Sequence, residues 1–313
     1  VELVGLGHAK LLLIGEHSAV YGFPALGLGL PSSTHVALVP GLEGAWSFPG
    51  MKAEEGRRLA EFLASAAALF PAMAEGGELR ISSSIPQGLG FGSSAALCVA
   101  LATCLAAEGA SPQELWSLAH RAEHFFHGRP SGIDTGLSLL GGLRAFFPTP
   151  PGPPSLPLAR ALPTLQLHLV VGALPRRSST AALVRALHAR IGQGEGGLKP
   201  HIEALGELAG EAIALLEAAP LPHRLEALAT LFGAAHRELG ALGLGDPGID
   251  RLIAEGVDRG ALGGKQSGAG SGGAFFLLYP SASSARDAAP ALAEFARDSG
   301  IGFASEPLAL ELP

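Results

Sequence analysis

The stretch from Ser84 to Ala96, Ser-Ile-Pro-Gln-Gly-Leu-Gly-Phe-Gly-Ser-Ser-Ala-Ala, constrains this chain more than any other. Gly88, Gly90 and Gly92 alternate, Ser93 and Ser94 follow, and an apolar run continues from Leu97 to Ala107. Alternating glycines let the backbone take positive φ and approach a ligand closely. A helix starting near Ser93 aims its unpaired N–H groups and its positive dipole end at whatever the loop encloses. Backbone donors and hydroxyls, with no obligatory side-chain charge, describe an anion cradle, and phosphate is its natural occupant. A plain glycine turn with Ser93 or Ser94 as helix cap is the competing reading of the same residues. The loop matches neither common nucleotide motif. A Walker A loop needs Gly-x4-Gly-Lys-Ser/Thr, and the nearest attempt, at Gly264-Lys265, lacks the first glycine and ends in Gln266. A dinucleotide loop needs GxGxxG after the first strand, with an acid about twenty residues further on.

Composition limits the alternatives. The chain has 313 residues, enough for two domains, and 48% hydrophobic residues can bury a sizeable core. Lys and Arg number 21 against 28 Asp and Glu, a net charge of -7, so no nucleic-acid partner is expected. The apolar run Leu11–Ile14 is too short to cross a bilayer, so no membrane partner is expected either. Val1–Leu6 carry no basic segment of the kind that opens a secretory signal. Cys98 and Cys104 stand six apart on one expected helix and face different sides, which disfavours a disulfide or a zinc knuckle. A cytoplasmic location is the expectation.

Along the chain, strands are expected at Val1–Leu6, Lys10–Ile14, Ala25–Leu30 and Thr34–Val39, with Gly5, Gly7 and Gly15 as punctuation. Met51–Leu69 reads as a helix, because Leu59, Phe62, Leu63 and Ala66 share a face. Glu78–Ser83 alternates as a strand into the glycine loop. Ser111–His127 is a helix capped by Ser111, with Pro112 in its first turn and Glu114 three after the cap. Gly141–Phe147 is a strand, and the proline-dense stretch Pro148–Pro163 reads as a linker or surface loop. The second half opens with the strand Leu165–Gly172. Helices follow at Ala181–Ile191, His201–Ala218, Arg224–Leu239 and Gly248–Asp258. A second glycine loop, Gly263–Gly273, leads into the strand Ala274–Tyr279, the helix Ala282–Asp298 and a last strand, Gly300–Ala309.

Several residues can carry chemistry. Asp134 follows a rigid Pro-Ser-Gly turn that holds a side chain in a fixed direction, which suits a general base; a solvated loop aspartate is the plainer alternative. Lys10 opens a buried run, where an unpaired ammonium is costly, so it either snorkels or pairs with an acid such as Asp134. Glu123, on the helix eleven residues before Asp134, could join a hydroxyl of the glycine loop in holding Mg²⁺, a cation that prefers oxygen ligands. His120, His124 and His127 share a helix face, but Arg121 stands where HExxH needs glutamate, and packing or capping histidines are favoured over a zinc site. Ala269-Gly270-Ser271-Gly272-Gly273 loosely echoes a hydrolase nucleophile elbow, yet it precedes a strand instead of following one.

Three stretches in this order, Lys10…Gly15-Glu16-His17, Pro86–Ala96 and Lys265–Gly273, resemble the three motifs of the GHMP small-molecule kinases. The resemblance runs from Lys10 to at least Leu278. Two features, Lys10–Gly22 and His127-Gly-Arg-Pro-Ser-Gly-Ile-Asp134, are most similar to the mevalonate kinase branch. The resemblance implies an α/β (α+β) fold of two domains, 1–160 and 161–313, with the active site in the cleft between them. It implies that Pro86, Gly88, Leu89, Gly90, Phe91, Gly92, Ser93, Ser94 and Ala95 wrap the ATP phosphates, and that Ser94 and Glu123 take part in Mg²⁺ binding. Asp134 would be the base for the C5 hydroxyl of mevalonate, and Lys10 would orient it. Glu16, His17, Thr180, Gly268 and Ala269 would meet the substrate. ATP and Mg²⁺ are the implied cofactors, and a homodimer is left open. Gln87, Phe91, Arg129 and Ser271 depart from the family pattern, and a cation at Arg129 would suit a more anionic acceptor. A phosphomevalonate or sugar kinase, and a non-catalytic sensor on the same fold, are the alternative expectations.

Overall fold

The computed structural model of the protein describes residues 2–40, 46–66, 77–106, 109–127, 130–148, 158–162, 166–218 and 223–312. Arg129 and the side chain of His127 lie outside the described residues.

The first half contains β1 (Leu3–Ile14), a 3-10 turn at Ala19–Tyr21, β2 (Ala25–Pro40), β3 (Trp46–Ser47), α1 (Ala53–Ala66) and β4 (Gly77–Ser83). It continues with α2 (Ser93–Leu105), α3 (Pro112–His127), α4 (Ile133–Leu140), β5 (Leu143–Phe147) and β6 (Leu158–Ala161). These strands form one six-stranded sheet. Its path is β3-β4-β2-β5-β6, and β1 runs antiparallel along β2. Two expected strand pairs are each one long strand. Gly5 and Gly7 do not interrupt β1; they let α2 lie on it. A Cβ at Gly5 would stand 1.9 Å from the Ala100 carbonyl oxygen, and one at Gly7 2.0 Å from that of Ala96. Any side chain there would push the helix off the strand. The register of β1 against β2 shifts between His8 and Ala9, the only mark of the expected break in the described pairing. The helix α4 was not expected, and β6 lies inside the stretch read as a linker.

The second half contains β7 (Leu167–Leu174), α5 (Thr180–Gly192), α6 (Leu198–Glu217), α7 (Arg224–Ala241), α8 (Pro247–Asp258), β8 (Gly263–Gln266), β9 (Gly273–Tyr279), α9 (Ala282–Asp298) and β10 (Ser305–Leu312). Its sheet order is β10-β7-β9-β8. The start of the second glycine loop is therefore a buried edge strand, β8. Alternation along β9 divides its side chains between two layers. Phe275, Leu277 and Tyr279 pack with Leu252 and Leu292 of α8 and α9. Phe276 and Leu278 pack with Leu205 and Phe232 of α6 and α7.

That second layer also holds Leu11 and Leu13 of β1 and Leu26 and Leu28 of β2, so a single apolar core runs through both halves. A separate core, with Phe62, Leu79, Val99 and Leu101, lies under α1 and α2. Ser267 fastens the seam: its hydroxyl accepts from the Leu12 N–H at 3.1 Å and donates to the Leu12 carbonyl at 2.9 Å. Cys98 and Cys104 are free, buried thiols, as expected. Among the described residues no helix is long and apolar enough to cross a membrane.

Candidate active site

A cleft of about 1000 Å³ lies between the two halves. One wall is the glycine loop. Gly88, Gly90 and Gly92 have φ of 73°, 100° and 79°, all in the left-handed region, so the alternation read from the sequence is a backbone requirement. Gly92 caps α2, which places Ser93 and Ser94 in its first turn, facing the cleft. The loop is seated on Lys10: the Lys10 N–H donates to the Phe91 carbonyl at 2.9 Å, and a Cβ on Gly92 would stand 2.7 Å from the Lys10 stem. Phe91 and Ala95 are buried and Leu89 packs on the shared core, so these side chains anchor the loop. Pro86 lies at its outer end, away from the residues that line the cleft.

Lys10 and Asp134 meet at 2.9 Å, with the lysine side chain 5% exposed and the aspartate 36%. The burial that made an unpaired Lys10 costly is thus balanced by a carboxylate that still reaches the cleft. Asp134 stands in the first turn of α4, where a negative side chain suits the positive end of the helix dipole. The turn before it docks on α3: the Trp116 indole donates to the Gly132 carbonyl at 3.0 Å, and Gly132 has φ of 79°. The neighbour of Asp134, Thr135, donates its hydroxyl to the buried Glu123 carboxylate.

Burial, with a further contribution from the negative charge of Asp134, pushes the Glu123 carboxyl up to about 8; the Thr135 hydrogen bond and Lys10 act in the opposite direction. The pH consequence has a definite sign. Folding favours the neutral acid, whereas the unfolded carboxyl ionises near 4.5. Glu123 therefore lowers stability progressively as pH rises from there to about 8, and by a constant amount above that. In the metal-free protein, Glu123→Gln should melt close to wild type at pH 4 and several degrees higher at pH 9. A melting difference independent of pH would sink this assignment.

The opposite wall was only partly foreseen. Glu16 is 4% exposed and pairs with Lys265, which is wholly buried. Lys265 also donates to the Gln266 carbonyl at 2.7 Å. The Gly268 N–H donates to Glu16 Oε1 at 3.3 Å, while Oε2 is buried with no partner among the described residues. His17, at φ 62°, donates from Nε2 to the Ala269 carbonyl at 3.1 Å, and burial lowers its pKa, leaving a neutral ring. Arg176 donates to the Thr180 hydroxyl at 2.8 Å and lies among the glycine loops, within 3.7 Å of a Cβ on Gly90 and 3.6 Å of one on Gly268. The sequence marks Lys265 as a failed Walker lysine and as the first residue of the third family motif, and gives Arg176 no separate role. A lysine in a run of small residues was the available signal for the first.

The discounted motifs have structural roles. His120 stacks on Trp116 with ring centroids 4.5 Å apart, and His124 meets it edge-on at 5.1 Å. No group of three or more His, Cys, Asp or Glu side chains placed to hold a metal ion occurs among the described residues. Ser271 takes φ of 55° where the family pattern has glycine, and its N–H donates to the Leu244 carbonyl at 2.9 Å. It is part of a backbone turn.

A cleft that joins an alternating-glycine loop to a lysine–aspartate pair is the arrangement of a class of small-molecule kinase, and the chain belongs to the GHMP kinase family. Residues 57–142 match the GHMP kinases N terminal domain, and residues 198–298 match the GHMP kinases C terminal domain. The chain is 31% identical to the mevalonate kinase of Pyrococcus horikoshii and 30% identical to that of Thermococcus sibiricus, covering 87% of both chains in each case. Its fold is shared by the crystal structure of L. major mevalonate kinase in complex with R-mevalonate: TM-score 0.78, 23% identity, 99% of this chain and 95% of that one.

Proposed function

We propose that the protein is an ATP-dependent mevalonate kinase, phosphorylating the C5 hydroxyl of mevalonate in isoprenoid precursor biosynthesis. The observation that carries this reading is the Lys10–Asp134 pair set against the glycine loop, in a chain whose relatives over most of its length are mevalonate kinases.

Phosphoryl transfer depends on positioning and charge neutralisation more than on covalent chemistry by the protein. The amides around Gly88–Ala95 and the end of α2 cradle the ATP phosphates. Asp134 accepts the hydroxyl proton; Lys10, paired with it at 2.9 Å, orients the carboxylate and lies near the reacting oxygens. Glu16 and His17 face the acceptor, with Thr180, Gly268 and Ala269 completing its pocket. Glu123 and Ser94 offer the oxygen donors that Mg²⁺ prefers, and a buried carboxyl pushed up to about 8 is one that a cation would relieve. Bound there with the phosphates, the ion would supply charge neutralisation. We also divide the chain into domains 1–160 and 161–313, a boundary that falls at the last residue of β6, and place the protein in the cytoplasm, where free thiols such as Cys98 and Cys104 persist.

The test is an acceptor panel. Purified protein with Mg-ATP and each of mevalonate, phosphomevalonate, galactose and homoserine should release ADP with mevalonate. Turnover of another acceptor, with none of mevalonate, overturns the reading.

A further inference from the structure

We propose that Arg185 binds the carboxylate of the acceptor, and so selects a hydroxy acid over a neutral polyol. The inference rests on the mevalonate reading of the cleft. Such an acceptor carries its reacting hydroxyl at one end of a five-carbon chain and a carboxylate at the other. The cleft already holds Glu16, Glu123 and Asp134, so an anion entering it needs a cation at its far end.

The other basic groups that line the cleft are engaged. Lys10 is paired with Asp134. Arg176 is bonded to Thr180 and sits at the phosphate end, beside Gly90 and Gly268. His17 is held neutral by burial and its Nε2 is given to Ala269. His188 lies 3.3 Å from the Tyr21 hydroxyl. Among the described residues, Arg185 is the cleft-lining cation with no hydrogen-bond or ion-pair partner, and it is exposed.

Its position fits the length of the acceptor. Thr180, bonded to Arg176, opens α5 at the reacting end, where the charge of Asp134 acts on Arg176. Arg185 comes five residues later, about 7.5 Å along the helix axis at 1.5 Å per residue. A five-carbon chain extends about 6 Å, and the arginine side chain covers the remainder. Ala181, Val184, Arg185 and His188 line the cleft at helical spacing, so this face of α5 is a continuous floor that carries one charged group.

The experiment compares mevalonate with mevalonamide, its neutral amide, as acceptors for wild type, Arg185→Ala and Arg185→Lys. Wild type should prefer the acid. In Arg185→Ala the KM for mevalonate should rise about 10- to 100-fold, the loss expected for one charge-assisted hydrogen bond. The KM values for the amide and for ATP should stay near wild type, and Arg185→Lys should recover part of the preference. An equal loss on acid and amide, a parallel loss on ATP, or no loss at all overturns the proposal. Failure of the mevalonate reading itself would be visible in the wild type alone, as absent mevalonate turnover, and would take this inference with it. Arg185 is exposed and has no partner among the described residues, so its removal strands no buried group there, and melting temperatures should match.

Discussion

Asp134→Asn should lower kcat by about 10²- to 10⁴-fold, the range that a positioned general base contributes, and leave the KM for ATP near wild type. Asparagine keeps the size of the side chain and can still accept a hydrogen bond from Lys10, but it cannot take the proton of the acceptor hydroxyl. Asp134→Ala should lose at least as much activity and should also be less stable, because Lys10 is 5% exposed and would be left without the carboxylate 2.9 Å away. The pair of variants separates chemistry from folding. Steady-state kinetics at saturating ATP, with ATP affinity measured by titration, decides the matter. Loss of ATP affinity in the asparagine variant, in proportion to the loss of kcat, would make Asp134 a structural residue of the loop.

Lys265→Met is expected to destabilise the protein by about 3–5 kcal/mol, the cost of leaving one member of a buried ion pair without the other. Lys265 is wholly buried, and its partner Glu16 is 4% exposed and already has one oxygen with no partner among the described residues. Removing the ammonium leaves a carboxylate in the seam between β8 and the loop after β1. The double variant Glu16→Gln/Lys265→Met removes both charges and should regain most of that stability. Its acceptor KM should nevertheless stay high, because Glu16 lines the cleft that we propose takes the acceptor. Denaturant unfolding of the two variants measures the first effect and acceptor titration the second. A double variant as unstable as the single one would mean that the packing of the lysine stem, and not the ion pair, holds the seam.

The parts of this molecule that were legible in its sequence are those where local chemistry dictates the structure. Gly88, Gly90 and Gly92 alternate because each must take positive φ, and Ser111 with Glu114 forms the capping box its spacing implies, with the Ser111 N–H donating to the carboxylate at 2.8 Å. Lys10, at the head of an apolar run, had either to snorkel or to pair with an acid such as Asp134, and it pairs with Asp134. The parts that were missed depend on contacts distant in sequence. Gly5 and Gly7 look like chain breaks, yet their function is to admit α2 some ninety residues later. The eight residues of α4 are too few for a periodic signal to stand out, and four glycine-rich residues of β8 gain a strand conformation only from pairing with β9. The Glu16–Lys265 pair joins positions that no local pattern relates.

The core shared by both halves bears on how the chain comes apart. Leu11, Leu13, Leu26 and Leu28 from the first sheet are packed with Leu169, Phe276 and Leu278 from the second. Ser267 ties the two sheets at Leu12 through both backbone groups. A proteolytic nick between β6 and β7 would therefore yield two fragments that remain a non-covalent complex. Neither fragment would survive separation, because each would expose to water the apolar face that the other covers. Heating should unfold the intact chain in one transition, with the cleft lost at the same temperature as the core.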